Sequence, residues 1–547
     1  MNILILTTMY RNKTNRLMPL FMAICVVVGI LIGTFYANHF SGNRLNIINT
    51  SGNKLNNLLH IIDDQYVDTV NMNDLVEKAM PQILSELDPH SVYISSKDVQ
   101  SANDDLSSSF SGVGIEFTIR QDTIHVQNVI SNGPAEKAGV IAGDKIVSID
   151  DKPFVGKIVT TTESMRRLKG PKDTKVKLGL LGYKAKKVRY VTVTRGEIPQ
   201  KSISATYMLD SKTGYIKIKK FAENTYPELL ISLAQLSQDN LQNLVIDLRG
   251  NLGGYMASAV QIANEFLPKN RLIVYMEGRR SPRQDFMSDG KGSYQHIPLV
   301  ILIDEASASS SEIVSGAIQD NDRGTIIGRR SFGKGLVQKP LSFRDGSMIR
   351  LTIAHYYTPS GRCIQKPYEK GKAEDYAMDV LNRLKHGELT NADSIHFADS
   401  LKCYTLRKHR TVYGGGGIMP DHFVPLDTTV YTNFHRQLSA RSFIINTNLR
   451  YVDAHRKELK KRYTDFNDFR QNYEFPKEEI DRMVADAAKQ NLKPKDDEEL
   501  EKAMPRLKLQ LKALVARDLW DMSEYFAVIY QDDEMVLKAV ELLSEAE

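Results

Sequence analysis

Apolar residues recur at spacings of three and four from Leu55 to about Leu106, in LNNLLHIIDDQYV and NDLVEKAMPQILSEL, and this period predicts helices over 55–109. LDPHSVYIS interrupts them at Pro89. From about Phe110 to Thr194 the texture changes to short runs, GVGIEF, IHVQNVI, GDKIVSID and KVRYVTVT, separated by Gly, Pro, Asn and Asp; this predicts a small, mainly-β module over 110–194. Between 195 and 427 buried strands (NLVIDL, PLVILID, GTIIG, SMIRLTIAHYY) alternate with helices (YMASAVQIANEFL, SSSEIVSGAIQD), which is α/β texture. The charged, helix-prone stretch 367–406 interrupts it and reads as an insertion. After Asp427, segments such as RKELKKRYTDFNDFRQ predict a helical, highly charged region over 428–547. It reads as a solvated domain or as a candidate homodimer arm. No internal repeat is found.

The N-terminus departs from all of this. Leu17 to Tyr36 holds no charged residue and is long enough to cross a bilayer as a helix. Arg11, Lys13 and Arg16 in the basic tail 1–16 favour a cytoplasmic start, and 37–54 reads as a linker. A cleaved leader is the rival, but Phe35 fits badly before a cleavage point at Ala37. One anchoring span at 17–36 is therefore expected, with the remainder outside the cytoplasmic membrane.

Composition narrows the function classes. The chain has 547 residues, 42% of them hydrophobic, which is too long for one core. A net charge of +6 without a basic run beside aromatic residues does not imply nucleic acid. Three cysteines exclude a disulfide framework; Cys25 lies in the apolar stretch, and Cys363 and Cys403 are either a pair or two free thiols. No zinc signature, G-x-S-x-G elbow or other cofactor motif occurs, so no metal or cofactor is implied.

The chemistry centres on GRRSFGKGLVQ, where Lys334 sits between two glycines. As a phosphate loop it fails: Gly335 stands where Ser or Thr is needed, and LVQKPLSF lacks helical character. As an S-x-x-K serine site, Ser331 and Lys334 lack the K-T-G and S-D-N partners. The third reading makes Lys334 a neutral amine serving a distant serine. DEASASSSEIVSGA supplies one, because a strand ends at Asp304 and a helix begins near Ser309, where free N–H groups and the helix dipole favour an oxyanion. Ser309-x-x-Glu312 is equally a capping box, which helices use for stability alone. His355 in TIAHYYTP reads as a packing or surface residue.

These motifs together, in order, resemble the carboxy-terminal processing proteases, peptidase family S41. LDPHSVYIS resembles that family's N-terminal helical region, GVGIEF with GPAEKAGVIAGDKIVSIDD its embedded PDZ domain, and LVIDLRGNLGG its glycine loop. SASSSEI resembles its nucleophile motif, SFGKGLVQ its lysine motif, and YYTPSGRCIQ and GGGGIMPD close the core. The resemblance spans roughly Leu55 to Leu426 and implies an S41 core of mixed sheet and helices at 195–427, a PDZ domain at 110–194 and a serine endopeptidase acting near protein C-termini. Carried over by position, Ser309 is the nucleophile, Lys334 the general base and Gln338 its support. The Ser310 N–H with that of Gly253 or Gly254 would hold the oxyanion, Glu312 caps or orients, and Asp247 and Arg249 fix the loop. Ser310 departs from the family's alanine, which leaves Ser307 and Ser311 as fallback nucleophiles. Gly112, Val113, Gly114, Ile115, Glu116 and Phe117 are implied to bind the substrate tail, with the carboxylate loop at Ser111–Gly114. The implied partners are polypeptides with apolar C-terminal tails and, through 17–36, a membrane. The anchor suggests a bacterial inner membrane with the catalytic domain facing the periplasm. The other class of reading is a tail-binding scaffold with an inactive protease core.

Overall fold

A computed structural model describes residues 14–44, 51–104, 107–120, 122–130, 132–182, 185, 187–429 and 431–545, with side chains described over 18–34 and from 54 onward. Two compact units, Met1–Ile83 and Leu84–Glu547, are taken in turn.

In the first unit, Thr14–Arg44 is a helix containing the apolar stretch, and the described large apolar side chains between Met18 and Ile32 are exposed. Among the described residues no helix is long and apolar enough to cross a membrane. Arg11 and Lys13 lie outside the described residues. The expected linker at 37–54 is in part helical, since Thr14–Arg44 runs into it and a second helix, Ser51–Gln65, starts within it. Helix Met72–Ser85 follows.

The second unit is organised by a six-stranded sheet in the order Ile203–Met208, Thr213–Ile218, Asn243–Asp247, Leu299–Ile303, Thr325–Gly328, His422–Phe423. Only the first pair is antiparallel. The central strands are apolar on both sides because both faces are covered. Leu244, Ile246, Ile301 and Ile303 face helices Thr225–Gln238, Met256–Phe266 and Ser310–Asp320. The alternate residues Val245, Val300, Leu302 and Ile327 face Met535, Val536 and Ala539 of the C-terminal helix Glu534–Glu545. At roughly 1.5–3 kcal/mol for each fully buried aliphatic side chain, this second face makes the C-terminal helix an integral layer of the core. The charged region is thus a folded layer: its helices also share a core of Phe434, Phe469, Leu507 and Leu511.

A second sheet joins Leu336–Ser342, Met348–Tyr357, Leu272–Gly278 and Ser281–Met287. Val92–Ile94 pairs with Met348–Arg350, so the expected all-helical segment 55–109 contributes an edge strand. Pro340 is tolerated because Leu336–Ser342 is paired on one side only. The β-module forms its own sheet around Ile124, Ile146, Leu178 and Leu180. The stretch 367–406 folds as helices Ala373–Ala377 and Asp379–Lys385 with a short strand, Lys402–Tyr404. It clasps the lysine segment, Arg383 donating to the carbonyls of Ser331 (3.1 Å) and Arg330 (2.6 Å).

Candidate active site

Strand Leu299–Ile303 leads through Asp304 into a tight turn, where the Asp304 carboxylate accepts the N–H groups of Ala306 (3.1 Å) and Ser307 (3.0 Å). The turn delivers Ser309 immediately before helix Ser310–Asp320, with Ser309 at φ 55°, ψ −111°. A non-glycine residue held there costs about 1–3 kcal/mol, strain of the kind that functional sites retain. The neighbouring hydroxyls are committed: Ser307 to Leu248 O (2.9 Å), Ser310 to Gly254 O (3.0 Å) and Ser311 to Asn251 O (2.9 Å). These three serines are buried, whereas Ser309 is only half-buried.

The loop after strand Asn243–Asp247 faces this turn. A Cβ added at Gly253 (φ 102°) would lie 2.8 Å from Ser309 Cβ and 2.9 Å from Ala308 O, so only glycine lets the two loops approach this closely. Gly253→Ala is expected to lower kcat at least ~10²-fold, as displaced oxyanion donors do, and an unchanged kcat would show that this approach is unimportant. The Gly253 N–H is not free to hold an oxyanion, because it donates to Asn251 Oδ1 (2.8 Å). The N–H groups of Gly254 and Ser310 have no hydrogen-bond partner among the described residues.

Gly335 is followed by strand Leu336–Ser342, not by a helix, which removes the phosphate-loop and S-x-x-K readings of Lys334. Instead the lysine segment is fastened to the serine helix. Fully buried Glu312 accepts the N–H groups of Ser309 (2.7 Å), Gly333 (2.7 Å) and Lys334 (2.9 Å) and the Ser331 hydroxyl (2.6 Å). Burial pushes its carboxyl up to about 7, with those four hydrogen bonds pulling the other way. The Tyr356 hydroxyl lies 3.0 Å from Ser309 O and 2.5 Å from Lys334 O. Burial holds the Lys334 amine below the usual lysine range; the Glu312 charge opposes this and Arg350 adds to it. Among the described residues the Lys334 amine makes no hydrogen bond, to Ser309 or to any other group.

Gln338 lies on the strand that follows Lys334. Its amide donates to Thr352 Oγ1 (3.4 Å), which itself donates to Asp88 Oδ1 (3.0 Å). Asp88 also accepts the N–H groups of His90 (2.8 Å) and Ser91 (2.9 Å), so LDPHSVYIS lies against the lysine segment. Burial, then the nearby Lys334 charge, lowers His90 to about 4 and keeps its ring neutral. His90 Nε2 is 3.0 Å from the hydroxyl of Tyr376, a residue of the 367–406 stretch whose ring also packs on Phe332. Asp88, His90, Tyr356 and Tyr376 were not singled out as site residues from sequence. The D-P-H-S turn was the one local signal, since an Asp followed by free backbone N–H groups marks an ordered turn. By strand alternation His355 points away from the Tyr356 side, and its Nδ1 is 3.8 Å from Cys363 Sγ. Cys363 and Cys403 are free thiols lining one cavity of about 630 Å³.

In the β-module, Ser111 and Gly112 belong to strand Ser109–Gly112, paired with Gly196–Pro199, so half of the expected carboxylate loop is strand. Val113 is buried in the module core and Gly114 turns the chain at φ 79°. Ile115, Glu116 and Phe117 open strand Ile115–Arg120, which ends its sheet and, among the described residues, has one edge unpaired.

Comparison with known proteins adds to this geometry. Residues 212–378 match peptidase family S41, residues 111–194 a PDZ domain, and residues 434–521 a family of unknown function (DUF8443). A carboxy-terminal-processing protease of Bartonella bacilliformis is 35% identical over 305 residues, 55% of this chain and 69% of that protein. A probable CtpA-like serine protease of Staphylococcus aureus is 30% identical over 389 residues, 69% of this chain and 77% of that one. Among solved structures, a photosystem II D1 C-terminal processing protease is 27% identical across 56% of this chain and 88% of its own, with a TM-score of 0.33.

Proposed function

Since the chain belongs to peptidase family S41, with the carboxy-terminal processing proteases, we propose that it is a serine endopeptidase working through a Ser309/Lys334 dyad. One observation carries the reading: Glu312 and Tyr356 each bind the backbones of both Ser309 and Lys334, so nucleophile and base segment form one unit. In this mechanism Ser309 Oγ attacks the peptide carbonyl while the neutral Lys334 amine takes its proton. The oxyanion forms against the N–H groups of Gly254 and Ser310. The Lys334 ammonium then protonates the leaving amine; water, deprotonated by the freed amine, attacks the acyl carbonyl, and Ser309 Oγ departs as it takes that proton back from Lys334. Substrate binding brings the amine into reach of Ser309, as catalytic hydrogen bonds often tighten only in the complex. Gln338 and Thr352 hold the strand beside the lysine without adding a charge that would raise the amine.

The PDZ domain selects the substrate. An extended tail adds as a strand along the open edge of Ile115–Arg120, its carboxylate meeting the backbone at Val113–Ile115 and its apolar side chains lying beside Ile115 and Phe117. The reading places the catalytic unit on the periplasmic side of a bacterial inner membrane, with the apolar stretch Leu17–Tyr36 as its proposed attachment to that membrane. The apolar faces of the C-terminal helices are occupied within the chain, so homodimerisation through them forms no part of this reading.

The test is cleavage of an unstructured protein with an apolar C-terminal tail by wild type and Ser309→Ala, across pH. Wild type should cleave, more rapidly as pH rises, and Ser309→Ala should not. Cleavage by both would place the nucleophile elsewhere, and binding without cleavage by wild type would favour the scaffold.

A further inference from the structure

Asp247, at the end of strand Asn243–Asp247, is fully buried, and an isolated carboxylate there would be prohibitively costly. It is balanced by the Tyr215 hydroxyl (2.5 Å), by Lys217 Nζ (3.2 Å), and by the backbone N–H (2.8 Å), Nε (3.0 Å) and Nη2 (2.7 Å) of Arg249. The remaining guanidinium nitrogen, Nη1, meets both oxygens of Asp533, each at 2.9 Å. Asp533 stands between helices Met522–Ile529 and Glu534–Glu545, 284 residues along the chain from Arg249, and Tyr530 places its ring 4.7 Å from the same guanidinium. Two acids and two bases are thus closed into one set, with Arg249 and Asp533 sidechains 11% and 21% exposed.

Arg249 is also the residue from which the glycine loop departs. Its carbonyl accepts Lys217 Nζ (3.2 Å), the Gly250 N–H that follows binds Asp304 (3.0 Å), and Asn251 O accepts the Ala308 N–H (3.0 Å). A shift of Arg249 is therefore passed to Gly254 and to the turn that holds Ser309.

Building on the dyad reading above, we propose that the C-terminal region completes the active site: Asp533 is a positioning residue that clamps Arg249 and so holds the Gly250–Gly254 loop in register with Ser309. The contact is a charge-assisted pair in which the single nitrogen Nη1 meets both carboxylate oxygens, stronger than a neutral hydrogen bond, while Nε and Nη2 fix the plane of the guanidinium on Asp247. Removing Asp533 leaves Arg249 Nη1 without its partner and the set one negative charge short.

Asp533 has a second, purely structural task. Its Oδ1 accepts the Val536 N–H (3.1 Å) and caps the last helix. Asparagine caps as well as aspartate but carries no charge, so Asp533→Asn separates the two tasks. In the full-length protein, Asp533→Asn should keep Tm within a few degrees and KM for a tailed peptide within twofold, while kcat falls about tenfold or more. Labelling of Ser309 by a fluorophosphonate probe should slow in parallel. Asp533→Glu should recover part of kcat, and Asp533→Asn should add little to an Arg249→Lys variant, as expected for partners in one interaction. A kcat for Asp533→Asn within twofold of wild type, or a loss that merely follows Tm or adds fully to that of Arg249→Lys, overturns the clamp. Failure of the probe to label Ser309 in wild type would instead overturn the dyad reading on which the clamp rests.

Discussion

Lys334→Met should lower kcat by ~10³-fold or more, the scale of losing a positioned general base, while the protein remains folded. Methionine keeps an unbranched, flexible chain in the half-buried slot and removes only the amine. Wild-type activity should rise with pH as Lys334 deprotonates, and because burial holds the amine low, the rise should fall below the reference lysine value of about 10.4. The variant should lose that limb. Stability moves in a defined direction too. A lysine whose folded-state pKa is depressed binds fewer protons folded than unfolded between the two values, so wild-type stability rises with pH through that window. Below it the cost is fully present, and Lys334→Met should therefore melt higher than wild type near neutrality. A variant keeping a tenth of the activity, or the same alkaline limb, would remove Lys334 from the chemistry.

Glu312→Gln should be nearly as damaging, by a different route. The carboxylate accepts three backbone N–H groups and the Ser331 hydroxyl, and a glutamine in its place turns an NH₂ group toward some of these donors. Leaving buried donors unsatisfied costs about 1–3 kcal/mol each and frees the lysine segment from the serine helix. We expect kcat to fall at least ~10²-fold together with a lowered Tm. The pH dependence separates this from simple destabilisation. Raised from 4.5 to about 7, Glu312 binds more protons in the folded than in the unfolded protein across that interval. Its contribution to stability is then complete below the unfolded value and is lost as pH rises through about 7, worth roughly 3 kcal/mol. Melting curves from pH 4.5 to 7.5 should show wild type losing stability relative to Glu312→Gln as pH rises. Parallel curves would mean that Glu312 is not held protonation-sensitive by its burial.

Much of this molecule is local in origin. Continuous apolar runs in NLVIDL and PLVILID produce central strands covered on both faces, and the three-to-four spacing in SSSEIVSGAIQD produces the helix behind Ser309. The glycine loop follows a strand and precedes a helix, whereas the lysine segment runs into a strand, and the two are marked in the sequence by their resemblance to the S41 motifs. The limits of that reading were specific. The segment around LDPHSVYIS reads as a helix end, yet Val92–Ile94 becomes an edge strand because Met348–Arg350 offers it an unpaired edge. Gly253 and Gly254 are equivalent as oxyanion donors in sequence; Asn251, folding back over its own loop, occupies the first and leaves the second.

The sequence by itself determined the order of the elements and the mainly-β module, since periodicity, capping and turn chemistry act over a few residues, while the serine and lysine segments stood out through an ordered set of motifs that resembles the S41 family. Tertiary structure alone decided which polar groups meet. Asp88 reaches Thr352, Tyr376 reaches His90, Glu312 joins two segments, and Asp533 closes on Arg249. The reason is that each buried polar group must find a partner where the packed sheets and loops happen to place one, and that position depends on the register of distant strands, which no local pattern encodes.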